Sequence, residues 1–158
     1  SRDRYYTNIG ASRAHGVELY LGWGWPAAGL EPYTSLTWME RRNEYSEFST
    51  WDTGVPALAG RAGMRWQDSL WRLPAWSDVY LRGETDSEVK EPGTVRAVLD
   101  EKDGWLTVNV TGGIDFGGER QYRLALDLLD LADKLYTASG ESVYGAGRSA
   151  AIKLTLDW

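Results

Sequence analysis

This sequence predicts an all-β fold, an antiparallel up-and-down transmembrane β-barrel of about eight strands, and three observations carry that expectation. Apolar and polar residues alternate with period two along most of the 158 residues. The connections between the alternating stretches are short and long in turn. The tryptophans fall mainly at one end of the expected strands. Period-two alternation places one set of side chains on each face of a strand, and up-and-down barrels of the outer membrane have short turns at one end and long loops at the other.

The strands are expected near 3–10, 15–25, 30–45, 57–67, 73–84, 104–116, 119–130 and 146–158. In the second, Val17, Leu19, Leu21, Trp23 and Trp25 alternate with Glu18, Tyr20, Gly22 and Gly24. Leu106, Val108 and Val110 alternate with Thr107, Asn109 and Thr111, and Tyr122, Leu124, Leu126 and Leu128 form a further apolar stripe. Ile152, Leu154, Leu156 and Trp158 alternate with Ala151, Lys153, Thr155 and Asp157, the pattern of a strand lying between two solvents. Residues 124–135 also fit an amphipathic helix. The Gly117-Gly118 turn signal before them favours a strand over Arg120–Leu129 with a turn after it.

Pro26–Gly29, the stretch around Ser69, and Gly117–Gly118 read as the short turns. Ser46–Pro56, Thr85–Asp103 and Leu131–Gly145 read as the long loops, and Ala11–Ala14 as a short connection on the same side. With the C-terminus on the periplasmic side, Trp23, Trp25, Trp66, Trp71 and Trp158 form a belt at the periplasmic rim, with Trp105 and several tyrosines near the outer rim. Glu18, Arg61, Arg65, Asp115, Asp127 and Lys153 then face the lumen.

Composition agrees. There are 9 Trp and 9 Tyr but only 2 Phe, and amphipathic aromatics suit a surface that is apolar in the middle and wet at its edges. The 18 glycines suit tight turns and bent strands. A net charge of −6 argues against nucleic acid as a partner, because phosphate binding needs a basic surface. Without cysteine there is neither a disulfide framework nor thiolate chemistry. No apolar run approaches the ~18 residues of a transmembrane helix, whereas a barrel strand crosses with ~9–11 residues of which every second one is apolar. The mean hydropathy of −0.45 is compatible with a polar lumen. A start at Ser1 reads as a mature chain or a fragment.

Several stretches, in order, resemble the C-terminal part of the TonB-dependent receptor family. Asn8-Ile-Gly-Ala-Ser-Arg-Ala-His-Gly-Val-Glu-Leu19 resembles its Asn, short turn and Gly-Val-Glu strand opening. Gly29-Leu-Glu-Pro-Tyr-Thr-Ser-Leu36 resembles the ascending strand that follows, and Gly54-Val-Pro56 with Gly63-Met-Arg-Trp66 a later loop and strand. Leu126-Asp-Leu-Leu-Asp-Leu-Ala-Asp-Lys-Leu-Tyr136 resembles the family's Asn-Leu-x-Asp-Lys-x-Tyr segment, with Asp127 or Asp130 where Asn is usual. Gly147-Arg-Ser149 and the alternation up to Trp158 resemble the closing strand and the C-terminal aromatic that marks barrel proteins for insertion.

The resemblance implies that residues 1–158 are one segment, roughly the last third of a barrel of about 22 strands, without the plug. It implies the outer membrane of a Gram-negative bacterium and contact with outer-membrane lipid. It also implies coupling to TonB through the absent N-terminal part. The expected function is active uptake of a scarce nutrient as a small-molecule ligand. A metal chelate of the iron–siderophore kind comes first, with cobalamin, haem or sugars as options. No enzyme activity and no cofactor are expected.

Other chemistries read weakly. Gly145-Ala-Gly-Arg-Ser-Ala150 matches a dinucleotide fingerprint, but a period-two strand follows where a helix N-terminus should hold pyrophosphate. His15, the one histidine, offers neither a zinc ligand set nor a triad with a nucleophile elbow. The runs Asp100, Glu101, Asp103 and Asp127, Asp130, Asp133 lack EF-hand spacing and read as solvated loop charge. Asn109-Val-Thr111 fits a glycosylation sequon but lies inside an expected strand. Two other readings compete: a soluble carbohydrate-binding β-sandwich with an exposed tryptophan platform, and a small free-standing structural barrel.

Overall fold

Period-two alternation becomes strand in the computed structural model, which describes residues 9–93, 98–118 and 122–156. The strands in chain order are β1 (Ala11–Gly22), β2 (Leu30–Glu44), β3 (Ser49–Thr50), β4 (Leu58–Leu70), β5 (Leu73–Glu84), β6 (Ser87–Glu91), β7 (Val98–Lys102), β8 (Trp105–Phe116), β9 (Tyr122–Leu129) and β10 (Ser149–Leu156). A 3-10 turn covers Pro26–Ala28, and no α-helix occurs among the described residues. Among the described residues no helix is long and apolar enough to cross a membrane.

Seven long strands form one antiparallel sheet in the order β1-β2-β4-β5-β8-β9-β10, with β3 pairing the end of β2. Each neighbour is the next long strand in sequence, the meander that short hairpin connections produce. A separate two-stranded sheet holds β6 and β7. Among the described residues β1 pairs only with β2 and β10 only with β9, so the sheet is open.

At one end of the sheet the connections are tight. Leu70 pairs with Leu73, and the two residues between them, Trp71 and Arg72, take φ of 50° and 68°. Positive φ at both central positions is what the favoured two-residue hairpin turn requires, although neither residue is glycine. Gly29 takes φ 62° after the 3-10 turn, where an added Cβ would collide with the Gln67 carbonyl. At the other end lie the long connections between β2 and β4, β5 and β8, and β9 and β10. They fold onto one another. Thr53 bridges Val89, the Ser139 hydroxyl donates to the Gly54 carbonyl, and Tyr136 stacks on Trp105 with ring centroids 4.1 Å apart.

Several expectations are corrected here. Ala11–Ala14 is strand rather than connection, because β1 runs on past its apolar stretch and stays paired with β2 up to Glu44. The loops expected over Ser46–Pro56 and Thr85–Asp103 contain β3, β6 and β7. Of the strand expected near 3–10, only Ile9 and Gly10 are described and neither is strand; the rest lies outside the described residues, as do Asp157 and Trp158. The strand alternative over Arg120–Leu129 prevails over the helix: Tyr122–Leu129 pairs antiparallel with both β8 and β10.

Candidate functional site

The register sorts the side chains of the sheet into two faces, since residues directly opposite on paired strands share a face. One face carries Val17, Leu19 and Leu21 of β1 and Leu36 and Trp38 of β2. It continues through Met64 and Trp66 of β4 and Val79 and Leu81 of β5 to Leu106, Val108 and Val110 of β8. Leu124, Leu126 and Leu128 of β9 and Ile152, Leu154 and Leu156 of β10 complete it. Between Leu30 and Trp38, Leu58 and Trp66, and Leu106 and Phe116 this face holds no charged residue. Charge appears only beyond the band, at Asp68 toward the tight turns and at Arg13, Glu40, Arg42 and Glu44 toward the long connections.

Nothing packs on this face among the described residues. Val17 is 61% exposed and Ile152 76%, while Leu124, Leu126, Leu154 and Leu156 are exposed as well. A water-soluble monomer rarely leaves an apolar patch of more than a few hundred Å² uncovered.

The opposite face is polar and better covered. Asp78 of β5, 8% exposed, is its centre. Arg61 Nη2 donates to Asp78 Oδ2 at 2.7 Å, Arg65 Nε stands 3.8 Å away, and the Tyr33 hydroxyl donates to the same carboxylate at 3.0 Å. Arg61 stacks over Tyr80 at 3.5 Å and Arg65 over Tyr33 at 4.1 Å, so both guanidinium groups gain cation–π contact as well. Arg65 also reaches Glu31 Oε1 at 3.1 Å. Asp115 receives both Nε and Nη2 of Arg123, a bidentate fork, and Asp127 accepts from Lys153 and Thr111. Trp76 lies over Gly113, where an added Cβ would press on the indole at 3.1 Å.

The six charges expected in the lumen therefore share one face. Arg61 and Arg65 meet at Asp78, Asp127 meets Lys153, and Asp115 meets Arg123. Glu18 lies on the same face but on exposed β1, and makes no ion pair among the described residues. Of the five belt tryptophans, Trp23 and Trp25 flank the β1–β2 turn, Trp71 sits in the β4–β5 turn, and Trp66 pairs with Leu30, which bridges Trp25. Trp71 is 83% exposed. The fifth, Trp158, lies outside the described residues. Trp105 stands at the long-connection end but turns to the polar face, where its Nε1 donates to Glu84 and Tyr136 covers it.

Sequence reasoning missed Asp78 and Tyr33, the centre of the polar face. The signal that could have found Asp78 is a carboxylate in the middle of β5 that the β4–β5 hairpin sets opposite Arg65, with Arg61 four residues further along the same face of β4. Cavities adjoin the polar side chains. One of about 470 Å³ is bordered by Arg65, Gln67, Trp76, Asp78 and Thr111, and one of about 540 Å³ lies among the long connections beside Arg41, Thr53, Lys102 and Ser139. His15, read as a rim or loop residue, is on β1 facing Glu40, with no metal-binding group around it among the described residues. Asn109 of the sequon lies within β8 and is buried. Comparison of the chain with protein-family models, with curated proteins and with solved structures found no match.

Proposed function

We propose that this chain is part of the wall of an outer-membrane β-barrel, and that the barrel is a TonB-dependent receptor for a scarce nutrient. The observation that carries the wall reading is the inversion of the sheet. Its exposed face is free of charge over Leu30–Trp38 of β2, Leu58–Trp66 of β4 and Leu106–Phe116 of β8, each matching the ~9–11 residues a tilted strand needs to cross hydrocarbon. Its polar face holds ions in pairs, as a lumen wall does. In water each exposed Leu or Ile forgoes about 1.5–3 kcal/mol of burial, and lipid removes that penalty without a second protein layer. A carbohydrate-binding sandwich needs such a layer, and the only other sheet among the described residues is the two-stranded β6–β7 in the long connections.

The receptor identity rests on the ordered motifs from Asn8 to Trp158, and the ligand class, an iron chelate first, rests on that resemblance alone. TonB acts through the part of the receptor that precedes this segment. The two cavities beside the polar side chains suit a small polar ligand in size.

Tryptophan fluorescence of the purified chain tests the wall reading. Detergent or lipid with brominated chains quenches the tryptophans near the apolar band, and oligosaccharides leave them unchanged. A chain that stays monomeric without detergent and shows saturable oligosaccharide quenching overturns the proposal in favour of the binding module.

A further inference from the structure

The apolar face is not level. From β4 to β10 one of its rows runs Trp66, Ser77, Gly112, Leu126 and Ile152, each opposite the next. Ser77 and Gly112 are its small members, and a side chain at Gly112 would start 3.0 Å from the Trp76 carbonyl oxygen. The adjoining row toward the tight turns runs Asp68, Ala75, Ile114 and Leu124, and Ala75 is only 4% exposed. Small residues side by side on β5 and β8 thus leave a groove of about 430 Å³, with Ala75, Ser77 and Gly112 as its floor and Trp66, Ile114 and Leu126 as its walls. Two charges stand toward its tight-turn end. Asp68, opposite Ala75, is exposed, and its Oδ1 accepts from the adjacent Ser69 N–H at 2.7 Å. Arg72, in the β4–β5 turn beyond, is exposed as well. Neither makes an ion pair among the described residues.

We infer that this groove holds an acyl chain of an aminophospholipid, whose ammonium meets Asp68. The inference rests on the wall reading, which supplies the lipid. On a level stretch of wall an acyl chain touches side-chain tips along one side only. In the groove it meets the floor and both walls, and dispersion attraction grows with each close contact. The volume lies within the range of roughly 300–1,000 Å³ that ligand-sized pockets occupy. Charge selects the headgroup. A carboxylate at the edge of the band attracts an ammonium and repels a purely anionic headgroup, and a hydrogen bond from N–H to carboxylate is of the strong, charge-assisted kind. The phosphate that the same lipid carries beside its ammonium finds the opposite charge in Arg72. A zwitterion therefore meets both signs here, whereas an anionic lipid gains from Arg72 and loses at Asp68.

The test uses the full chain in detergent micelles and native mass spectrometry. The probes are phosphatidylethanolamine and phosphatidylglycerol with identical acyl chains, supplied in equal amounts. The ethanolamine lipid is expected to be retained about fivefold better, the worth of one charge contact at a membrane surface. Asp68→Asn is expected to abolish that preference while both lipids are still retained. Ser77→Leu, which fills the groove, is expected to lower retention of both. Equal retention of the two lipids by the unaltered chain overturns the inference, and so does a preference that survives in Asp68→Asn. Undiminished retention in Ser77→Leu overturns it as well, because the chain would then lie elsewhere. If Ser77→Leu does not fold, the exposed Asp68→Asn change decides alone. Brominated acyl chains in the same micelles separate the two readings. Tryptophan quenching without ammonium preference sinks this inference alone, and absence of quenching sinks the wall reading with it.

Discussion

The two faces of this sheet are made by the same strands and satisfied in opposite ways. On the polar face the ions find partners within the chain: Asp78 with Arg61 and Arg65, Asp127 with Lys153, Asp115 with Arg123. On the apolar face the side chains find no layer to pack against among the described residues, and Ile152 and Leu154 stand open. A soluble sheet reverses this, hiding its apolar side and solvating its charges. Under the proposed wall reading the difference teaches what each face meets: an apolar solvent on one side and a polar interior that the protein itself organises on the other.

The largest expected effect breaks the apolar face. Leu154→Arg in the middle of β10 should lower stability in lipid vesicles by about 2–4 kcal/mol, while Thr155→Arg on the neighbouring polar position should change it far less. Urea titration of the vesicle-folded protein measures both. Equal effects at the two positions would mean that the faces do not meet different solvents.

A second, intermediate effect breaks the polar face. Asp78→Ala leaves two guanidinium groups and the Tyr33 hydroxyl without their shared acceptor, and should cost about 1–3 kcal/mol in the urea midpoint. Adding Arg61→Met should recover part of that loss by removing the stranded charge. If the double variant is no more stable than the single one, Asp78 is not the centre of a coupled network.

The smallest effect sharpens the comparison at the tight-turn end. Trp71 and Arg72 hold left-handed backbone that costs a non-glycine residue roughly 1 kcal/mol, so replacing them by Asn and Gly should stabilise the micelle-folded chain by about that amount. In vesicles the gain should shrink, because the exposed Trp71 indole then gives up its place at the interface. A gain of equal size in both media would remove Trp71 from the proposed belt.

Much of the sheet was legible because alternation is a local property. The stripes Leu106–Val110, Tyr122–Leu128 and Ile152–Leu156 announce β8, β9 and β10 residue by residue, and the last two also sort Asp127 and Lys153 onto one face. The first strand misled because its upper half, Ser12 to His15, carries no large apolar residue on either face. Alternation disappears there although the ladder with β2 continues. The packed long connections were invisible for another reason. Ser139 with Gly54 and Lys102 with Ala138 join residues far apart in sequence, and Thr53–Val89 is a single bridge with no periodicity. Asp78 was overlooked because a carboxylate inside β5 acquires meaning only once the register sets Arg65 beside it. Ligand identity has no comparable signature in these strands.

The order β1-β2-β4-β5-β8-β9-β10 has an arithmetic consequence for any closed wall. Adjacent strands run in opposite senses, so with an odd number of long strands β1 and β10 both descend from the long connections to the tight turns. Joined to each other they would meet in parallel. Two copies placed side by side with the same orientation would do so at both junctions. A barrel that stays antiparallel all the way round therefore inserts an odd number of strands between β10 and β1, the first and the last of them ascending.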